Sequence, residues 1–321
     1  MNRRMVIALF GGVAAAWPLA CHAQQRRVYT VGVLALDKPD PAPLLQALRE
    51  GLGELGCVEG RNLRLEIRSA GSSLDLQLAN ATALIRLKVD LMVTFFTPTT
   101  LAAKQTTRDI PIVMAGAGDP VGTGLVESFA RPGGNVTGQS GGGGEVAGKS
   151  VELIRELLPA ASKVGVLADE GDPFAKPYVS QIVHAAHSAG MGVEIVLTRW
   201  GLPIEAAFAT FAAKRVDALL IQGSIASRDL LDLAINHRLP ALTSTRLGPP
   251  LGALMSYSSD YLALTRQSAV YVDKILRGAK PSDLPVAFPV KFELIINLKT
   301  AKALGLEVPP TLIARADEVI E

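Results

Sequence analysis

Apolar and polar positions recur with two different periods along the chain, and the two periods alternate in a regular order. Short apolar runs such as VGVLA at 31–35 and DLMVTF at 90–95 are separated by stretches with helical spacing, such as PLLQALREGLGEL at 43–55. Buried strands that alternate with helices are typical of a parallel sheet covered on both faces. The pattern therefore predicts an α/β fold.

The second half of the chain repeats the order of the first. Three pairs of segments are similar and hold the same place in their half: VGVLA at 31–35 and 164–168, KVDLMVT from 88 and RVDALLI from 215, and DIPIVMA from 109 and RLPALTS from 238. One shared apolar pentapeptide is expected by chance among buried strands, but three pairs in order indicate an internal repeat. We predict two similar doubly wound parallel-sheet lobes joined by a hinge.

A glycine-rich segment, RPGGNVTGQSGGGG at 131–144, separates the halves and is predicted to be the hinge or crossover. Beyond the second half, a helical stretch that ends near Arg277 indicates a return to the first lobe. The expected division is then a signal peptide at 1–23, followed by two lobes. Residues 28–137 with 253–285 form the N-terminal lobe, and residues 138–252 with 286–321 form the C-terminal lobe.

The N-terminus has the layout of a secretory signal peptide. Arg3 and Arg4 precede an apolar run at 5–16, and a small-residue site ends at Ala23. The run is shorter than the ~20 residues that a membrane span requires. We expect cleavage after Ala23 and export to the periplasm, by either the general or the twin-arginine route.

Composition narrows the functional classes. The chain has 32 Lys+Arg and 30 Asp+Glu, and two of the arginines lie in the signal peptide, so the mature protein is formally neutral. It lacks the basic excess that non-specific nucleic-acid binding requires.

Pro18 disfavours a lipoprotein site at Cys21, and cleavage leaves Cys57 without a disulfide partner. With no H-E-x-x-H motif and no cysteine cluster, we expect neither a metal site nor a cofactor.

Two segments match the consensus sequences of catalytic motifs. GGEVAGKS at 143–150 fits a P-loop, but a P-loop leaves a buried strand, and a glycine run precedes this one. GQSGG at 138–142 fits a nucleophile elbow around Ser140, although four consecutive glycines at 141–144 are poorly suited to a strained turn. We expect no enzymatic activity. A secreted α/β serine hydrolase that uses Ser140 and one of three downstream histidines remains the alternative: His184, His187 or His237.

The most specific candidate for ligand binding is TFFTPTTLAAKQ at 94–105, because ligands of open parallel sheets lie beyond the strand ends. Thr97 is predicted to cap a helix with Pro98 at its first position, so that the amides and hydroxyls of Thr99 and Thr100 face the cleft. Such a helix start favours a carboxylate. Ordinary capping explains the same residues without a ligand.

Polar or aromatic residues at other strand ends complete the predicted site. They are Asp37, Asp119, Asp172, Phe174, Gln222, Ser224, Arg246 and Tyr257. Asp172 would offer an acid to an amine, and Phe174 an aromatic wall. Each residue type is also common in turns and caps.

Longer segments resemble one family closely. They are GLGELGCVEGRNLRLE from 51, IPIVMAGAGDPVGTGLVESFARPGGNVTG from 110, ALMSYSSDY from 253, ILRGAKPSDLPV from 275, and KFELIINLKTAKALGLEVPPTLIARADEVIE from 291. With these, the chain resembles the ABC transporter substrate-binding proteins that include tryptophan- and tyrosine-binding members, which have a type I periplasmic binding protein fold.

The resemblance implies capture of a small molecule between two hinged lobes and delivery to an ABC permease in the inner membrane, without chemistry and as a monomer. It also implies that Thr97 to Thr99, Asp119 and Ser140 line or approach the cleft. A sugar-repressor-like sensor would share the fold, but a signal peptide stands where its DNA-binding domain would be. Residues 139–145 and ADEGDPF from 168 depart from the family pattern. The ligand's identity therefore stays open.

Overall fold

A computed structural model describes residues 27–37, 40–71, 73–199 and 203–321. The signal peptide predicted at 1–23 lies outside these ranges. The described chain forms two separate sheets, each flanked by helices, which confirms the predicted α/β class. Within these ranges, no helix combines the length and the apolar character needed to cross a membrane.

The first sheet contains five parallel strands in the order β2-β1-β3-β4-β5. Its strands are β1 (Tyr29–Leu36), β2 (Leu63–Ala70), β3 (Leu91–Phe95), β4 (Ile112–Ala117) and β5 (Val136–Ser140). Its first three helices are α1 (Ala42–Glu54), α2 (Leu74–Arg86) and α3 (Phe96–Thr106). Neighbouring side chains of a strand point to opposite faces, so Val93 packs in the core that includes Leu48, and Met92 in the core that includes Leu84.

The second sheet contains seven strands in the order β7-β6-β8-β9-β10-β11-β12, and only the β10–β11 pair is antiparallel. Its strands are β6 (Lys163–Asp169), β7 (Gly192–Thr198), β8 (Ala218–Ile221), β9 (Ala241–Thr243), β10 (Met255–Ser259), β11 (Phe292–Asn297) and β12 (Glu318–Ile320). The remaining helices are α4 (Gly143–Leu157), α5 (Ala175–Ser188), α6 (Glu205–Ala213), α7 (Arg228–Asn236), α8 (Gly248–Leu251), α9 (Tyr261–Leu276), α10 (Leu298–Leu304) and α11 (Pro310–Ile313).

The internal repeat is visible in the strand order. Counted from the start of each half, the first four strands lie in the order 2-1-3-4 in both sheets. Asp90 before β3 accepts a hydrogen bond from the backbone N–H of Thr30, and Asp217 before β8 accepts one from that of Lys163. The two halves therefore share a topology and also the aspartate that ties their first and third strands together.

The described part of the chain crosses between the sheets three times, close to residues 141, 260 and 288. As predicted, α9 packs on α1 in the first lobe, with Val272 in the same core as Leu48. Two bounds of the expected lobes differ from the structure. Residues 138–140 belong to β5 in the first sheet, and β10, expected in the first lobe, pairs with β9 and β11 in the second.

Residues at the start of the last crossing also lie with the first sheet rather than the second. The backbone N–H of Ala287 donates to Gly138 O at 2.9 Å, and its carbonyl accepts from Ser140 N at 2.8 Å. These bonds satisfy backbone groups at the edge of β5. Side-chain periodicity does not predict such backbone pairing.

Candidate functional site

A cavity of about 480 Å³ lies between the two lobes, beyond the carboxyl ends of β1, β3, β4, β6 and β8. Both lobes contribute to its walls, and its volume lies within the range typical of small-molecule sites. This position agrees with the expectation that ligands of open parallel sheets bind beyond the strand ends.

The wall from the first lobe is largely apolar. It includes Leu44 of α1, Phe96 at the start of α3, and Tyr261 and Leu262 at the start of α9. The rings of Phe96 and Tyr261 meet edge to face, with centroids 5.2 Å apart and an interplanar angle of 60°. This aromatic pair is a preferred packing geometry and forms a surface for a flat or apolar group.

The wall from the second lobe carries most of the polar groups, and Asp172 is the best anchored of them. Its Oδ1 accepts from Phe174 N at 2.9 Å, and its Oδ2 accepts from Gln222 Nε2 at 2.7 Å. Gln222 is itself fixed, because its Oε1 accepts from Asp169 N at 2.9 Å. Burial raises the pKa of Asp172 to about 6. At neutral pH this carboxylate is therefore an ionised acceptor held in one orientation.

Ser224 adds an unpaired hydroxyl to the same wall. Its Oγ is buried and has no hydrogen-bond partner within the described chain. A buried hydroxyl without a partner costs free energy, and a polar ligand atom would remove that cost.

Arg246 is the one cation among the described residues that line the cavity, which also include the acids Asp40, Asp172 and Glu318. It is not free, because its guanidinium lies 3.3 Å from Glu318 and 3.8 Å from Glu293. The charged lining of the cavity is therefore acidic on balance. This balance favours a ligand that brings a positive charge.

The start of α3 differs from the prediction. The helix begins at Phe96, and its N-cap is Phe95, whose side chain makes no capping bond, so Thr97 is not the cap and Pro98 is not the first residue. The reason is the backbone of Phe96, which adopts a left-handed φ of 68° and turns the chain into the helix one residue before Thr97.

The threonine hydroxyls of α3 are also engaged within the first lobe. Thr97 Oγ1 accepts from Gly118 N at 3.0 Å, while Thr99 Oγ1 donates to Phe95 O and Thr100 Oγ1 to Phe96 O. Threonine inside a helix commonly bonds a carbonyl of the preceding turn. The prediction that the Thr99 and Thr100 hydroxyls face the cleft is therefore wrong.

The structure brings seven of the twelve candidate residues to the cavity: Thr97, Pro98, Asp172, Phe174, Gln222, Ser224 and Arg246. Contact of these seven with a ligand stays a prediction. The other five are not among the residues that line it: Asp37, Thr99, Asp119, Ser140 and Tyr257.

Most of these five have a local structural role. Asp119 accepts from Gly122 N at 2.9 Å in a turn, and Tyr257 stacks on Phe292 with centroids 5.6 Å apart. Sequence reasoning missed Phe96 and Tyr261. Tyr261 follows the return segment SYSSD directly, and that crossing is the one signal that could have placed it at the site.

The two catalytic motifs take other roles. GGEVAGKS forms the first two turns of α4 rather than a phosphate-binding loop, and Lys149 pairs with Glu152 at 2.6 Å. Ser140 does end a strand that leads into a helix, contrary to expectation. Its Oγ is buried, however, and accepts from Gly142 N at 3.1 Å.

The three histidines proposed as its partners, His184, His187 and His237, are exposed, so the structure does not support a hydrolase triad. The described residues also contain no cluster of three or more side chains suited to hold a metal ion.

Residues 33–320 match the family model described as ABC transporter substrate binding protein. The chain belongs to this family. The family consists of solute-binding proteins rather than enzymes, and the two-lobed fold is that of type I periplasmic binding proteins. Membership also places the protein among extracytoplasmic components of ABC transporters.

Two kinds of relatives describe this membership more closely. The chain is 28% identical over 273 residues to a tyrosine-binding protein of Clostridioides difficile, covering 83% of this chain and 78% of the relative. Among solved structures, an ABC domain from Streptococcus pneumoniae in complex with L-Trp is 25% identical and superposes with a TM-score of 0.83. That match covers 91% of this chain and all of that one.

A third relative has been solved in its ligand-free form. The ligand-free, open structure of a substrate-binding protein with adhesive properties from Clostridium difficile is 26% identical, and the match covers 91% of this chain and 99% of that one. Its TM-score is only 0.69, against 0.83 for the L-Trp complex at the same coverage of this chain.

Proposed function

We propose that the protein is the periplasmic solute-binding component of an ABC importer and that it captures an amino-acid-like ligand with an apolar or aromatic side chain. The observation that carries this proposal is the division of the cavity between an apolar wall and a polar wall with the anchored carboxylate of Asp172. The tyrosine-binding and L-Trp-bound relatives have ligands of this class.

Asp172 is proposed to bind the ligand's ammonium group. Its two oxygens already accept from Phe174 N and Gln222 Nε2, and each carboxylate oxygen has a second lone pair available. A charge-assisted hydrogen bond contributes ~1.5 to 3 kcal/mol, or about tenfold or more in affinity. An ammonium would also offset the cost of burying this charge.

The ligand's carboxylate is proposed to lie at the start of α3. The first-turn N–H groups of a helix have no partner within it and favour an anion. Because the hydroxyls of Thr99 and Thr100 bind backbone carbonyls, the backbone N–H groups of Phe96 and Thr97 would be the donors. Pro98, which has no N–H, would contribute shape alone.

The proposed biological route rests on the predicted signal peptide and on the family. The signal peptide at 1–23 would deliver the chain to the periplasm, where the lobes close around the ligand as a monomer and present it to an inner-membrane ABC permease. We propose no reaction on the ligand. Scattering with and without saturating ligand would show compaction if closure accompanies binding.

Thermal-shift and calorimetric titrations with four related probes test the ligand class. L-Tryptophan carries both charges, tryptophanamide lacks the carboxylate, indole-3-propionate lacks the ammonium, and L-lysine replaces the apolar side chain with a charged one. L-Tryptophan is expected to bind at least tenfold more tightly than each of the others.

Each alternative result identifies the step that is wrong. If tryptophanamide binds as well as L-tryptophan, the anion site at α3 is wrong. If indole-3-propionate binds as well, the role of Asp172 is wrong. If none of the probes binds, while a wider screen finds a ligand with neither charge, the amino-acid assignment fails as a whole.

A further inference from the structure

The ring of Phe174 lies against two glycines that come from opposite sides of the chain's first crossing. Gly118 follows β4 in the first lobe, and Gly143 opens α4 on the second. A Cβ at Gly118 would lie 2.6 Å from the Phe174 ring, and one at Gly143 would lie 2.4 Å from it. Neither position has room for a methyl group while the ring stays in place. The ring therefore fills a slot that only glycine backbone leaves open.

Phe174 itself is held firmly by the second lobe. Its backbone N–H donates to Asp172, and its ring packs on Tyr178 with centroids 5.8 Å apart. Tyr178 is fully buried in the core of that lobe. The ring cannot be displaced without disturbing either the carboxylate at the cavity wall or this core.

Gly118 is held just as firmly on the first lobe. Its N–H donates to Thr97 Oγ1 at 3.0 Å, and its carbonyl accepts from Gly143 N at 2.9 Å. The contact between the ring and Gly118 is thus a contact between lobes, placed beside the crossing. If the lobes move as rigid bodies, a small displacement near the crossing becomes a larger one at the mouth of the cavity.

We infer that the Phe174 ring, seated on Gly118 and Gly143, is a latch that stabilises the closed arrangement of the lobes and thereby sets ligand affinity. The latch connects the proposed ammonium site at Asp172 with the proposed carboxylate site at the start of α3. Through Asp172 it responds to one part of the ligand, and through Gly118 and Thr97 it responds to the other.

Gly118→Ala tests the latch directly, because all three atoms nearest to the added Cβ belong to the Phe174 ring and the φ of Gly118 is not in the left-handed region. Scattering of the ligand-free protein is expected to show a larger radius of gyration than the wild type. Affinity for L-tryptophan is expected to fall by roughly tenfold or more, since overpacking of this kind is costly.

Gly148→Ala is the matched control. It lies inside α4, and a Cβ there meets no heavy atom within 4 Å. Its radius of gyration and its affinity for L-tryptophan are expected to equal those of the wild type.

A double-mutant cycle separates the latch from a general loss of structure. Phe174→Ala alone is expected to open the ligand-free protein, because it removes the ring. In the Phe174→Ala background, adding Gly118→Ala is expected to change the affinity for L-tryptophan by less than twofold. It is expected to leave the radius of gyration unchanged. Equal effects of Gly118→Ala with and without the Phe174 ring would overturn the latch.

The radius of gyration and the affinity for L-tryptophan separate this inference from the proposed function. Only the affinity measurement rests on the proposed function. An unchanged radius of gyration in both Gly118→Ala and Phe174→Ala would overturn the latch even if L-tryptophan binds. Opening of both variants would support it even if L-tryptophan proves not to be a ligand. If Gly118→Ala does not fold, Phe174→Ala, which removes atoms rather than adding them, decides the question by the same measurement.

Discussion

Gln222 donates from Nε2 to Asp172 Oδ2 at 2.7 Å, and this bond holds a desolvated carboxylate against the wall of the cavity. Burial disfavours the ionised form and outweighs the hydrogen bond from Phe174 N, which favours it, so that the pKa of Asp172 is raised to about 6. The acid proposed to bind the ligand therefore changes its charge within an experimentally accessible range.

Affinity for an ammonium-bearing ligand is expected to fall as pH is lowered through about 6, because protonation removes the charge on Asp172. Calorimetry with L-tryptophan between pH 5 and 8 measures this dependence on the wild type. Asp172→Asn is expected to bind weakly at every pH, and Asp119→Asn, outside the cavity, to follow the wild type. A flat profile in the wild type would show that Asp172 does not contact the charge.

The free energy of unfolding of the ligand-free protein is expected to depend on pH in the opposite direction from ligand affinity. Because the folded-state pKa of Asp172 is about 6 and its ordinary value is 3.8, the folded state takes up a proton first, and stability rises as pH falls from above 6 towards 3.8. The ionised group costs up to ~3 kcal/mol above pH 6. Asp172→Asn should thus raise the melting temperature at pH 7.5 more than at pH 4.5. An equal rise at both pH values would contradict this assignment.

Thr97→Val is expected to lower the free energy of unfolding by ~1 to 3 kcal/mol, because it leaves the buried N–H of Gly118 without its acceptor at 3.0 Å. Valine keeps the shape of threonine, so packing is conserved. Thr97→Ser keeps the oxygen and serves as the control. Chemical denaturation of both variants measures the difference, and equal stabilities would show that the hydroxyl's hydrogen bond contributes nothing.

Phe96→Gly is expected to be more stable than Phe96→Ala by ~1 kcal/mol, the reverse of the usual order in a helix. Both variants lose the packing of the ring on Tyr261, so their difference isolates the backbone. The left-handed φ of 68° at Phe96 strains alanine and not glycine. Thermal unfolding of the two variants side by side measures the difference; greater stability of the alanine variant would contradict a left-handed residue at this position.

Gly51→Ala is expected to destabilise the protein by ~1 to 3 kcal/mol, because its Cβ would lie 2.4 Å from the carbonyl oxygen of Arg266 in α9. Gly53→Ala, two residues later in α1, meets no heavy atom within 4 Å and is expected to be neutral or to stabilise the helix by up to ~1 kcal/mol. Comparable unfolding midpoints for the two variants would argue against the packing of α9 on α1.

The sequence predicted most of the architecture because buried parallel strands are continuously apolar and because the chain contains a repeat. The strand of VGVLA at 31–35, for example, is β1, and its copy at 164–168 is β6. Side-chain periodicity reports which faces are buried, but not which edge a strand joins. That is why β10 and the segment around Ala287 lie on a different sheet from the one expected.

The candidate site was predicted only where local sequence determines it. Gln222 directly follows β8, and Asp172 lies three residues after the end of β6. Strand ends meet at one edge of a parallel sheet. The start of α3 was wrong because its geometry depends on Phe96, whose ring packs on Tyr261 from a distant part of the chain. Local capping preferences do not contain that contact.

The path of the chain also sets the order in which the lobes become complete. Leu48 and Leu52 of α1 pack in one core with Val272 of α9, and Met255 of β10 shares a core with Ile296 of β11. A ribosome supplies α1 long before α9, so the apolar face of α1 stays uncovered until nearly the whole chain has been synthesised. The second lobe waits even longer, for β11 and β12. A nascent chain built in this way keeps both cores unfinished until its last residues emerge, so neither lobe can complete its fold during synthesis of the first half.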